Sequence, residues 1–155
     1  MYRSVLAIID PGPEPDPALA RAVEEARASR ARLTLLCAVP PPCGLVCFAS
    51  VCRETLHAEA LDVSGRDLRA AVETVPDDVP VTTVVSPLCL RKAVRREIAR
   101  GGHDVVVIGS AMRGWWPAML VRRLVRGCPA PVVRATPQAA PRSAGPLPAP
   151  LAGAG

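Results

Sequence analysis

Residues 104–135 read DVVVIGSAMRGWWPAMLVRRLVRGCPAPVVRA, and this stretch decides the fold. Val105 to Ile108 is a continuous apolar run of strand length, followed by Gly109-Ser110. A helical segment from Pro117 to Arg126 comes next, and a proline-flanked turn leads to a second short strand at Pro131–Arg134. A strand that is apolar at every position has no solvent-facing side, as in a parallel sheet covered on both faces. The stretch therefore reads as the closing unit of an open α/β sheet, in which ligands sit beyond the carboxyl ends of the strands.

The pattern repeats toward the N-terminus. Val5 to Ile9 is another apolar run, closed by Asp10 and the sequence PGPEP, whose prolines and glycine cannot continue a strand. Asp16-Pro17 supplies a carboxylate N-cap and a proline at the first helical position. Leu19, Val23 and Ala26 then recur on one face of a helix running through Ala28. Leu33–Val39 is a second strand, stopped by Pro40-Pro41-Pro42. A long crossover follows, with a helix over Arg53–Val75 whose apolar face carries Leu56, Leu61, Leu68, Val72 and Val75. Val81–Val85 is a third strand of β-branched residues. Ser86-Pro87 repeats the cap-plus-proline start, for a helix with Val94 and Ile98 inward and Gly101-Gly102 at its end. Four strand–helix units and a final strand require a parallel sheet with helices on both faces, because crossovers are right-handed. Residues 1–136 form this α/β domain, and residues 137–155, rich in Pro, Ala and Gly without periodicity, are expected to be a disordered tail.

Composition excludes more than it assigns. The 155 residues are 50% hydrophobic and only 3% aromatic, so Val, Leu, Ile and Ala must fill one sizeable core. No apolar run approaches the roughly 18 residues of a membrane span, and the chain opens directly on a strand, so a cytoplasmic location without membrane contact is expected. The net charge of +5 rests almost wholly on arginine, with Lys92 the single lysine. No arginine run is interleaved with aromatics, and specific nucleic-acid binding is not expected. Cys43, Cys47 and Cys52 stand four and five positions apart, with His57 five further on, and would meet at one ion only if the linker folded back on itself. Free thiols and no metal are expected.

Catalytic machinery is not recognisable. His57 lies near the start of the crossover helix, and His103 lies in a Gly-Gly-His-Asp turn at the sheet end away from the crevice. Both read as surface or capping residues. Ser110 lacks the Gly-x-Ser-x-Gly context of an activated serine, and neither a Gly-x-Gly-x-x-Gly nor a Walker motif is present. What remains is the crevice. Asp10 would accept a hydrogen bond from a ribose hydroxyl or help hold a metal, against the alternative of a solvated carboxylate before a turn. Gly109 and Ser110 would offer N–H groups and a hydroxyl to phosphate, against the alternative of a glycine that only avoids a steric clash.

YRSVLAIID, PALARAVEEARASRARLTLLCAV, DVVVIGS and CPAPVVRA, in that order and spacing, resemble the universal stress protein family from Tyr2 to about Ala135. The resemblance implies an open doubly wound five-stranded parallel sheet of the Rossmann-like, adenine nucleotide alpha hydrolase-like type, in the order 3-2-1-4-5. It also implies a homodimer made by pairing the last strands. In the ATP-binding branch, the matching positions are Asp10 at the ribose or metal, Ala38 at the adenine, and Gly109 and Ser110 at the phosphates. The phosphate pattern is a glycine, two residues, a second glycine, nine residues, a third glycine and a hydroxyl residue. Here Met112 replaces the second glycine, and Arg122 and Arg123 replace the last two positions. Trp115-Trp116 stands in place of a glycine-rich loop and is read as a cap on that site or part of an interface, against the equal alternative that it fills the core or a groove. The resemblance thus implies a non-enzymatic stress or regulatory role through self-association or a protein partner, with ATP binding weak or lost. An adenine-nucleotide binder using ATP with magnesium, or a slow ATP hydrolase, is the alternative.

Overall fold

The computed structural model describes residues 1–10, 16–41, 50–109 and 126–135. Five strands form one parallel sheet: β1 (Ser4–Ile8), β2 (Arg32–Ala38), β3 (Val81–Ser86), β4 (Val105–Gly109) and β5 (Val132–Ala135). Their spatial order is β3-β2-β1-β4-β5, as the resemblance implied. Each neighbouring pair is parallel, with Ile8 level with Leu36 on one side and Ile108 on the other. β1 and β4 are therefore central, and their side chains are buried on both faces. β3 and β5 are the edges among the described strands. The exposed Thr82 and Thr83 of β3 show the polar side that an edge tolerates.

Alternate residues of each strand feed two cores. Val5, Ala7, Leu33, Leu35, Val105 and Val107 pack under α1 (Pro17–Ser29) and α2 (Ser50–Glu73). Leu6, Ile8, Leu36, Val106 and Ile108 pack under α3 (Leu90–Gly101). This is the period-two consequence of a strand buried on both sides. On α1 the fully buried positions are Ala18, Ala22 and Ala26, a small-residue row at four-residue spacing. Leu19 and Val23 flank it, only partly buried.

Three expectations are corrected. Ser86 does not cap a helix. It ends β3 in register with Ala38, and its backbone carbonyl accepts from the Val39 N–H at 2.8 Å. The Ser86 hydroxyl instead accepts from the Leu88 N–H at 3.3 Å, and α3 starts only at Leu90, after a Cys89 N-cap without a side-chain hydrogen bond. Leu56 is not inward but about half exposed, at 51%. A helix of 24 residues extends for about 36 Å, whereas a seven-residue strand spans about 23 Å, so part of α2 overshoots the sheet. His103 is buried rather than at the surface.

Of the helix expected over Pro117–Arg126, only Arg126 lies among the described residues, helical together with Gly127, and the tail of residues 137–155 also lies outside them. No helix among the described residues is long and apolar enough to cross a membrane.

Candidate functional site

The carboxyl ends of β2, β1 and β4 lie side by side and bring Ala38, Asp10 and Gly109 to one edge of the sheet. Ala38 closes β2, half-buried beside Ser86 of β3. Asp10 follows β1, also half-buried. Gly109 closes β4 and is buried. Ser110, Met112, Arg113, Trp115, Trp116, Arg122 and Arg123 lie outside the described residues.

Asp16 organises this edge. It caps α1 from an extended conformation, with Oδ1 accepting from the Ala18 N–H at 2.7 Å. Its second oxygen, Oδ2, accepts from the Asp10 N–H at 3.0 Å. One carboxylate thus ties the end of β1 to the start of α1. A Cβ placed on Gly109 would lie 3.4 Å from Asp16 Oδ1 and 3.8 Å from the Ala18 Cβ, both ordinary contacts. Packing among the described residues therefore does not demand glycine there. Asp16 is legible in the sequence as a cap; its second bond, to a residue six positions earlier, needs the folded turn.

Cys37 is a residue at this edge that the sequence did not single out. Buried at the end of β2 on the α1–α2 face, its thiol is pushed up to about 11. Burial is the main cause. A hydrogen bond with the Ser64 side chain opposes it, and the carboxylates of Asp10 and Asp67 add to it. Asp10, just after β1, and Ser64 and Asp67 of α2 thus lie near one strand end. At pH 7 the thiol is protonated and unsuited to act as a nucleophile or metal ligand. Cys37, Cys89 and Cys128 are free thiols. No group of three His, Cys, Asp or Glu side chains suited to a metal ion occurs among the described residues. Cys43 and Cys47 lie outside them. His57, partly buried on α2, has its Nδ1 shielded without a hydrogen-bond partner among the described residues.

At the opposite end of the sheet, His103 Nδ1 and the Ser4 hydroxyl are 2.7 Å apart. Asp104 accepts from the backbone N–H groups of Arg3 at 2.6 Å and Ser4 at 3.2 Å. Those bonds hold the Asp104 carboxyl below its usual range. Burial holds His103 below its ordinary value, against the opposing influence of Glu97 and Asp104. The Ser4–His103 pair packs the base of β1 against that of β4. It lies far from Asp10 along the strand, so it does not join the crevice.

The strand order and the two-sided core are those of a known group of proteins. The model of the universal stress protein family matches residues 1–134. Among solved structures, UspA from Lactobacillus plantarum is similar at a TM-score of 0.63 and 19% identity, covering 86% of this chain and 97% of that one. A universal stress protein from Archaeoglobus fulgidus in complex with dAMP gives a TM-score of 0.53 at 14% identity, with 86% and 97% covered. A universal stress protein family protein from Arabidopsis thaliana with AMP bound gives 0.51 at 13%, with 88% and 93% covered. No curated protein sequence matches the chain. The family match spans every strand but the last residue of β5, and the observed order β3-β2-β1-β4-β5 agrees with it, so the chain belongs to the universal stress protein family.

Proposed function

We propose that this universal stress protein acts through self-association or a protein partner, without enzymatic activity, and binds ATP weakly at the β1–β4 crevice. The observation that carries the weak ATP binding is Asp16. Its carboxylate occupies the N-terminus of α1, the position where a phosphate would otherwise gain from unpaired N–H groups, and it faces the Cα of Gly109. Asp10 stands beside it, bound through its backbone N–H. Two carboxylates at this end of the sheet, Asp10 after β1 and Asp16 capping α1, oppose a polyphosphate unless a cation intervenes. The departures at Met112, Arg122 and Arg123 from the phosphate pattern point the same way. Self-association is supported by β5, which ends the sheet and pairs with β4 alone among the described strands.

Adenine-nucleotide binding is the second reading, favoured by a specific observation: Asp10, Ala38 and Gly109 do converge on one edge. The dAMP and AMP bound to structures of the same fold make it the natural competitor. Calorimetric titration of the desalted full chain with ATP and magnesium separates the two. A dissociation constant weaker than about 100 μM, near −5.5 kcal/mol, is expected. Tight, saturable binding abolished by Asp10→Ala would make the nucleotide-dependent reading the correct one.

A further inference from the structure

At the end of the sheet away from the crevice, a cavity of about 430 Å³ is lined by Met1, Tyr2, Arg3, Ser29, Arg30 and Arg32. That volume lies within the usual range of small-molecule pockets. Three of the six lining residues are arginines, Arg3, Arg30 and Arg32. Their setting is local in origin: β1 and β2 begin here, the Arg32 N–H donates to the Arg3 carbonyl at 3.0 Å, and α1 ends here at Arg30. Farther back on α1, Arg21 is paired with Glu24 and Glu25, and Arg27 with Asp78. Arg30 and Arg32 meet no carboxylate among the described residues. Arg3 is close enough to Asp104 to influence it, so its charge is partly offset.

A second observation concerns the backbone of Arg30. It takes φ 53° and ψ 39°, and it is the single non-glycine residue with positive φ among the described residues. Glycine is the usual occupant of this C-cap conformation, as Gly102 is at the end of α3. An arginine in a strained cap places a guanidinium at the cavity where a helix ending on glycine would place none, and such strain concentrates at ligand sites. Two of the last four carbonyls of α1 are capped, Ala26 and Arg27 accepting from Ala31 at 2.8 Å and Arg30 at 3.2 Å, which lessens but does not remove the negative end of the helix beside these arginines.

We propose that this cavity is a binding site for a small anion bearing two linked phosphate groups, held by Arg30 and Arg32 with Arg3 in support. Each guanidinium offers a planar fork matched to phosphate oxygens. Tyr2, partly buried, supplies an aromatic wall for the group that carries the phosphates. The site is independent of Asp10, Ala38 and Gly109.

The test is calorimetric titration of the full chain with inorganic pyrophosphate, with ADP and single-stranded RNA as further arms. Pyrophosphate is expected to bind with a dissociation constant of about 100 μM or tighter, and inorganic phosphate about tenfold more weakly. Arg30→Gly is expected to weaken pyrophosphate binding at least about tenfold while leaving the melting temperature unchanged or higher, since it relieves the cap. Arg32→Ala weakens binding without that thermal gain, and Asp10→Ala leaves it unchanged. ADP binding that falls with Arg30→Gly and persists in Asp10→Ala places the nucleotide diphosphate in this cavity. The proposal is overturned by pyrophosphate binding that survives both arginine variants, by no binding at 1 mM (roughly −4.1 kcal/mol), or by RNA outcompeting pyrophosphate at equal phosphate concentration.

Discussion

Replacing Asp16 by asparagine removes one negative charge from the crevice and keeps an oxygen for the α1 cap. Asparagine is about as good an N-cap as aspartate, so the 2.7 Å bond from the Ala18 N–H survives. The 3.0 Å bond from the Asp10 N–H loses its acceptor, at about 1 kcal/mol. Asp16→Ala loses both acceptors and is expected to cost about 2–3 kcal/mol. The electrostatic effect on a ligand runs the other way. A phosphate resting against Gly109 would lie about 6 Å from the carboxylate, where like charges repel by about 0.7 kcal/mol in water and about 2.8 kcal/mol at an effective dielectric of 20. An intermediate value corresponds to roughly tenfold in affinity. Asp16→Asn is therefore expected to tighten ATP–magnesium binding about tenfold while lowering the urea midpoint slightly. Titration calorimetry and urea denaturation on the same sample read both effects. Unchanged or weaker ATP binding in a folded Asp16→Asn protein would refute the electrostatic argument.

Sedimentation equilibrium at tens of micromolar, roughly the range for modest affinity, is expected to show a dimer; a monomer throughout would exclude pairing through β5. Cys37 ionises later when folded, at about 11, than when unfolded, near 9.0. Its stabilisation is thus full below about pH 9 and declines between 9 and 11, by up to about 3 kcal/mol. Cys37→Ala should flatten that decline in urea melts at rising pH, and a slope equal to wild type would contradict it. Gly101→Ala would put a Cβ 2.6 Å from His103 Nε2, on a buried ring already engaged with Ser4. The clash should outweigh the gain in helix propensity, for a net loss of about 1 kcal/mol. The same change in a His103→Ala background should be neutral or stabilising, as a thermal double-mutant cycle would show.

The elements whose residues carry their own instructions were legible in the sequence. Val5 to Ile9 and Val105 to Ile108 have no polar face, which leaves them only the middle of a covered sheet. Asp16-Pro17 and Gly102 mark helix ends through side-chain and backbone preferences that need no partner. The family resemblance supplied the strand order and named Asp10, Ala38 and Gly109, which the fold does place on one edge. Tertiary structure decided what depends on a distant neighbour. Ser86 reads as a cap until β2 claims it through Ala38 and Val39, and a ladder hydrogen bond then holds it in the strand. His103 reads as a surface turn until Ser4, 99 residues away, reaches its ring. Arg30 looks like one of many arginines because its positive φ and the cavity between α1, β1 and β2 exist only once three separated segments meet. Periodicity and caps are properties of neighbouring residues, whereas burial, register and charge proximity belong to the packed chain.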